Sequence, residues 1–224
     1  MIVVENVTIY PNKKRRKPIL CDLNFRVAKN ESLGLVGPSG CGKSTVLRTL
    51  SSLHPYWSGK IKVGCPRHHI QMVFQDPLAS LHPRHTVYEI LREPLIARKI
   101  PYDEQALLQA LDDVSLSSEL LFRYPHQLSG GQRQRASIAR SLLVDPKVLF
   151  LDECTSALDV AVQKDILLLL KRLKKERGIT CLVVSHNFEV IRFMCDRFLN
   201  LEDFGSWRSI DLEDFRSSAL SSLK

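Results

Sequence analysis

The sequence has no apolar stretch near the roughly 20 residues that a membrane-crossing helix needs. Its longest leucine-rich run, Ile166 to Leu170, holds five. The N-terminus, Met1-Ile2-Val3-Val4-Glu5, has no basic region ahead of an apolar one, so a secretory leader is not expected. None of the six cysteines (Cys21, Cys41, Cys65, Cys154, Cys181, Cys195) stands in a C-x-x-C pair. That spacing speaks against a zinc site or disulfide frame and for reduced, buried thiols in a cytosolic setting. No internal repeat is present. With 224 residues, 44% hydrophobic and 25% charged, the chain suits one packed domain, or one carrying an insertion.

The net charge of +8 would suit nucleic acid or an anionic membrane. Five of those charges sit together in Lys13-Lys14-Arg15-Arg16-Lys17, between strand-like segments 2–10 and 18–27. A solvated hairpin loop is the expected reading, with acidic lipid or RNA contact as the alternative.

Further along, an apolar run at 32–36 leads into Gly37-Pro38-Ser39-Gly40-Cys41-Gly42-Lys43-Ser44, and a helical stretch follows from Thr45. Glycine, four residues, glycine, lysine, serine in a strand–loop–helix setting is the pattern of a phosphate-binding loop. Glycines let the backbone curl its N–H groups towards phosphate oxygens, and the helix points its positive end there. Lys43 is placed for the β- and γ-phosphates and Ser44 for Mg²⁺. The loop is expected to bind a nucleotide.

Ser58-Gly59 reads as a turn before a short strand at 60–63, and 70–74 reads as a buried strand ending at Gln75. From 77 to 144 the pattern is helical, with segments at 86–91, 103–111 and 130–143. Strand character returns at 147–151 and 179–184, separated by an amphipathic helix over 160–177 that Gly178 should cap. Alternating strands and helices predict a parallel sheet with helices on both faces.

In such sheets functional groups gather at the carboxyl ends of the strands. Asp152, after four apolar residues, is expected to reach Mg²⁺, and Glu153 to act as general base on water. His186, at the next strand end, is read as a γ-phosphate contact.

Leu128-Ser129-Gly130-Gly131-Gln132 resembles the signature motif of ATP-binding cassette (ABC) ATPases. Leu151-Asp152-Glu153, Thr155-Ser156-Ala157-Leu158-Asp159 and Ser185-His186 follow in that family's order, and the resemblance covers about residues 2 to 201. It implies an α/β fold of the P-loop NTPase, ABC ATPase type. The core sheet would be mostly parallel, with an N-terminal antiparallel part and a helical subdomain at about 78–144, all one domain over 1–224. It implies ATP and Mg²⁺ as cofactors. Tyr10 resembles the aromatic that stacks on adenine, with 37–45, from Gly37 through Thr45, around the phosphates. Gln75 resembles the glutamine that senses Mg²⁺ and the lytic water, joining Ser44 and Asp152 at the metal and Lys43, Glu153 and His186 in catalysis. Ser129, Gly130, Gly131 and Gln132 resemble groups that meet ATP held by an opposing subunit, and Asp159 belongs to a loop that communicates across that dimer.

Val73-Phe74-Gln75-Asp76-Pro77-Leu78-Ala79-Ser80-Leu81-His82-Pro83-Arg84 resembles, more narrowly, the ATPases of dipeptide, oligopeptide and nickel importers. This implies two transmembrane permease subunits, a second ABC ATPase subunit in a heterodimer rather than a homodimer, and an extracytoplasmic substrate-binding protein acting indirectly. No nucleic acid is expected. The location implied is peripheral, on the cytoplasmic face of the cell membrane. A non-transport cassette working on a soluble complex, such as a ribosome or a phosphonate-degrading assembly, is the alternative.

There are departures. Cys154 stands where the family usually has proline, which would loosen the turn after Glu153. Glu202-Asp203-Phe204-Gly205-Ser206-Trp207 replaces the family's glycine-bearing strand pair. A cysteine-bearing C-terminal extension is lacking, so no iron–sulfur cluster is expected and the resemblance tilts towards nickel or metallophore import.

Overall fold

The computed structural model describes residues 1–14, 17–201 and 209–211, the last three by backbone alone. Arg15-Arg16 of the basic run and the departure at 202–207 lie outside the described residues.

The first half of the chain supplies β1 (Ile2–Ile9), β2 (Leu20–Val27), β3 (Ser32–Val36), α1 (Lys43–Leu50), β4 (Trp57–Val63) and β5 (Ile70–Val73). Helices α2 (Pro77–Ser80), α3 (Val87–Ala97), α4 (Glu104–Asp113) and α5 (Gly130–Leu142) come next. The chain then alternates through β6 (Val148–Asp152), α6 (Val160–Arg177), β7 (Thr180–Val184), α7 (Phe188–Met194), β8 (Arg197–Asn200) and β9 (Ser209–Asp211).

Strands β2, β1 and β4 form an antiparallel sheet in that order. The other sheet runs β5-β6-β7-β3-β8-β9, parallel except at its last pair. Ser58 and Gly59, expected as a turn, lie within β4 instead. The reason is a bulge opposite. Asn6 of β1 has φ +50° and the register shifts between Val4 and Val7. A Cβ on Gly59 would come within 2.2 Å of the Asn6 carbonyl oxygen, so only glycine keeps the strand continuous there. The bulge also lets Ile2, Val4, Val7 and Ile9 all face inwards. Strand β9 lies antiparallel to β8 at the edge of the mostly parallel sheet.

The central strands are apolar without interruption because both faces are covered. Val148 and Phe150 of β6 pack towards the antiparallel sheet and α1, while Leu149 and Leu151 pack towards helices α3 to α7. Leu182 and Val184 of β7 share the first layer, and Cys181 and Val183 the second. Gly34 of β3 lies under α7, where a Cβ would meet Ile191 Cγ2 at 2.7 Å.

Helix ends follow local chemistry. Thr86 and Glu89 form a capping box at α3. Gly178, at φ +60°, closes α6, whose last turn carries Lys174, Lys175 and Arg177 against the negative end of the helix dipole. Among the described residues no helix is long and apolar enough to cross a membrane.

Candidate nucleotide site

The loop from Gly37 to Gly42 joins the carboxyl end of β3 to the start of α1, at the centre of the parallel sheet. Gly37, Gly40 and Gly42 have φ of +146°, +80° and +105°. Gly42 is also pressed from outside: a Cβ would lie 2.9 Å from both Ile19 and Leu20 of the first hairpin. Pro38, Ser39 and Gly40 are exposed at the apex, with Cys41 and Thr45 half-buried beside them. Lys43 folds back under the loop. Its Nζ donates to the carbonyls of Gly37 at 2.7 Å and Pro38 at 2.8 Å.

Ser44 reaches across to β6, its hydroxyl donating to Asp152 Oδ1 at 2.7 Å. Asp152 is only 5% exposed. Burial pushes its carboxyl above the usual carboxylate range, opposed by the Ser44 hydrogen bond and by the positive charges of Arg48 and Lys43. A buried carboxylate paired with a hydroxyl is a donor set suited to a hard cation such as Mg²⁺. The glycine-lined loop and the ammonium of Lys43 suit phosphate oxygens in the same way. The residues present fit both groups.

Glu153 follows at φ +48°, a left-handed conformation costly for a non-glycine residue. Its N–H donates to the Val184 carbonyl at 3.0 Å, which ties it to the end of β7. Its side chain meets His186, Nδ1 to Oε2, at 3.1 Å. Strand ends that the sequence leaves far apart thus deliver Ser44, Asp152, Glu153 and His186 to one place. Cys154 turns away into the core, where burial pushes its thiol to about 12, so it is inert packing.

Gln75 follows β5, exposed, and its Nε2 donates to Ser156 Oγ at 3.4 Å. Ser156 was given no role by its sequence. The signal available was its place in the Thr155–Asp159 run; what was missing was the contact. Tyr10 stands where β1 gives way to the hairpin that presses on Gly42, half-buried, with its N–H donating to the Tyr56 carbonyl. Its own carbonyl meets His54 Nε2 at 2.7 Å.

Ser129, Gly130, Gly131 and Gln132 open α5 elsewhere. Ser129 accepts from the Gln132 N–H, and Gln132 Oε1 accepts from the Ser129 N–H, a reciprocal capping box. Gly131 lies against α6, where a Cβ would meet Val162 Cγ1 at 2.6 Å. Among the hydrogen bonds described, none joins these four residues to the phosphate loop.

Residues 20–156 match the family model for the ABC transporter. The chain belongs to the ABC transporter family. It is 41% identical over 194 residues to the oligopeptide transport ATP-binding protein OppF of Bacillus subtilis, covering 79% of this chain and 64% of that one. Against the probable D,D-dipeptide transport ATP-binding protein DdpF of Escherichia coli it is 48% identical over 179 residues, covering 78% and 58%. The chain therefore spans about three fifths of the length of these relatives. A dimeric structure of the ATP-binding cassette MJ0796 in a post-hydrolysis state, bound to ADP and Pi, superposes with a TM-score of 0.82 at 31% identity. It covers 95% of this chain and 99% of that one. The fold is accordingly that of an ABC ATPase cassette, an α/β P-loop NTPase with an added antiparallel sheet.

The thiols of this cassette differ from the expectation. Cys154, Cys181 and Cys195 are buried, but Cys41 and Cys65 are half-buried and Cys21 is exposed. Cys21 lies on the outward row of β2, while Cys41, in the phosphate loop, and Cys65 pack only against the margin of the core.

Proposed function

We propose that this cassette hydrolyses ATP as the energy-coupling subunit of a membrane importer for dipeptides or oligopeptides. The observation that carries the reading is the convergence of Ser44, Asp152, Glu153 and His186 beside the phosphate loop. Residues 37–45 bind the phosphates, Lys43 moves from the loop carbonyls to the phosphate oxygens, and Tyr10 stacks on the adenine. Ser44 and Asp152 hold Mg²⁺, with Gln75 as a further oxygen donor. A Mg²⁺ ion held there would supply positive charge against the phosphates. Glu153 accepts the proton of the attacking water, held in place by His186, whose ring also meets the γ-phosphate.

Two cassettes closing head to tail over two ATP molecules would bring Ser129, Gly130, Gly131 and Gln132 to the partner's nucleotide. The dimeric state of MJ0796 supports this arrangement. The resemblance after Gln75 favours a heterodimer, paired with two permeases and served indirectly by an extracytoplasmic binding protein. It also favours a place on the cytoplasmic face of the membrane. The peptide assignment is supported by the relatives named for oligopeptide and D,D-dipeptide transport; their names give nickel or metallophore import no support.

A Glu153→Gln chain should lose about 10²- to 10⁴-fold in turnover while still binding ATP. Turnover at the unaltered rate would refute the general-base assignment. A pull-down of the tagged chain from detergent-solubilised membranes with ATP tests the rest. Recovery of permeases and a second cassette is expected, and recovery of soluble proteins or RNA alone would overturn the importer reading.

A further inference from the structure

Ser156 sits between two groups of the site without belonging to either. Its hydroxyl donates to the Glu153 carbonyl at 3.0 Å and accepts from Gln75 Nε2 at 3.4 Å. Its position relative to Glu153 is fixed twice more. The Ser156 N–H donates to the same carbonyl at 3.1 Å, closing the turn forced by the left-handed Glu153. The preceding Thr155 is buried and held through Oγ1 by Gln163 Nε2 at 3.1 Å.

A serine hydroxyl has one proton and two lone pairs. With the proton committed to the Glu153 carbonyl over the shorter bond, the face turned to Gln75 is an acceptor. Only the amide nitrogen of Gln75 can meet an acceptor. The Gln75 carbonyl oxygen is therefore the end left outward, and oxygen rather than amide nitrogen is what a hard cation takes. An exposed amide without this contact would present either end.

We propose that Ser156 is a positioning residue that orients the Gln75 side chain so that its carbonyl oxygen faces the metal–nucleotide. The proposal rests on the nucleotide reading above and adds a residue to it. It also ties the orientation of Gln75 to the turn that aims Glu153, so a shift of either loop is felt by the other.

The test measures Mn²⁺ affinity by electron paramagnetic resonance, in ATP-loaded chains carrying Glu153→Gln to stop turnover. Ser156→Ala should weaken Mn²⁺ binding about two- to tenfold, the range a single neutral hydrogen bond carries. ATP binding in the presence of a chelator should be unchanged. Ser156→Thr, which keeps the hydroxyl, should restore the affinity. In a Gln75→Ala background, Ser156→Ala should add nothing. Unchanged Mn²⁺ affinity in Ser156→Ala while Gln75→Ala weakens it, or losses that simply add, would overturn the proposal. A second readout needs no variant or metal: in the unaltered chain the Gln75 side-chain amide should exchange its hydrogens more slowly than that of the exposed Gln105. Equal rates would also overturn it. A chain that binds no Mn²⁺–ATP in any form would instead refute the nucleotide reading.

Discussion

Replacing Gly131 by alanine tests whether the first turn of α5 requires glycine for packing inside its own chain. The added Cβ would lie 2.6 Å from Val162 Cγ1, with the other near atoms at 3.8 and 3.9 Å, so a single methyl makes the whole clash. Val162 cannot easily turn it away, because a valine on a helix has one strongly preferred rotamer. Helices α5 and α6 must then separate, or Val162 must leave its rotamer, at about 1–3 kcal/mol for an overpacked contact. Alanine returns up to about 1 kcal/mol through its better helix propensity. With that full return the net loss is about 0–2 kcal/mol, which for a chain of this size lowers Tm by up to about 8 °C. The decisive variant is the suppressor. Val162→Ala removes the clashing methyl, and in that background Gly131→Ala should be neutral or stabilising, a reversal of sign. Differential scanning calorimetry on the four chains measures both effects. If Gly131→Ala lowers Tm equally with and without Val162, the contact is not what requires glycine.

Other expectations follow from burial. Asp152 has its folded pKa raised, so the folded state holds its proton more tightly than the unfolded state does. The stabilisation from that proton is complete below the unfolded value of about 3.9 and is lost as pH rises through the higher folded value. Asp152→Asn should therefore melt above the unaltered, metal-free chain at neutral pH, with the gap narrowing towards pH ~4. A gap independent of pH, in melts across that range, would contradict the burial account. Burial likewise pushes the Cys154 and Cys181 thiols to about 12. In the native chain near the ordinary thiol pKa of about 8.5, iodoacetamide should modify exposed Cys21 first and leave those two untouched, as read by peptide mass spectrometry. Early labelling of Cys154 would mean that the turn after Glu153 opens, as the replacement of proline there suggested.

Much of this molecule is determined by spacing along the chain. The phosphate loop needs its glycines, Lys43 and Ser44 within one strand–loop–helix unit. The helix over 160–177 is encoded by a 3.6-residue apolar period and a terminal glycine, and it forms over those same residues. The apolar runs of β6 and β7 mark strands covered on both faces. Tertiary structure decided the rest, because the deciding contacts join residues distant in sequence. Gly59 looks like a turn residue until the Asn6 bulge lies against it. Gly131, which its motif marks as a ligand contact, also carries a packing demand that only the approach of α6 reveals. Glu153 and His186 are 33 residues apart, and no local preference would place them 3.1 Å from each other. That distance and the Glu153 N–H bond to Val184 exist because β6 and β7 are neighbours that end at the same level, and the Ser156 bridge to Gln75 because β5 lies on the other side of β6. The residue types were fixed by the chain; which atoms face one another was fixed by packing.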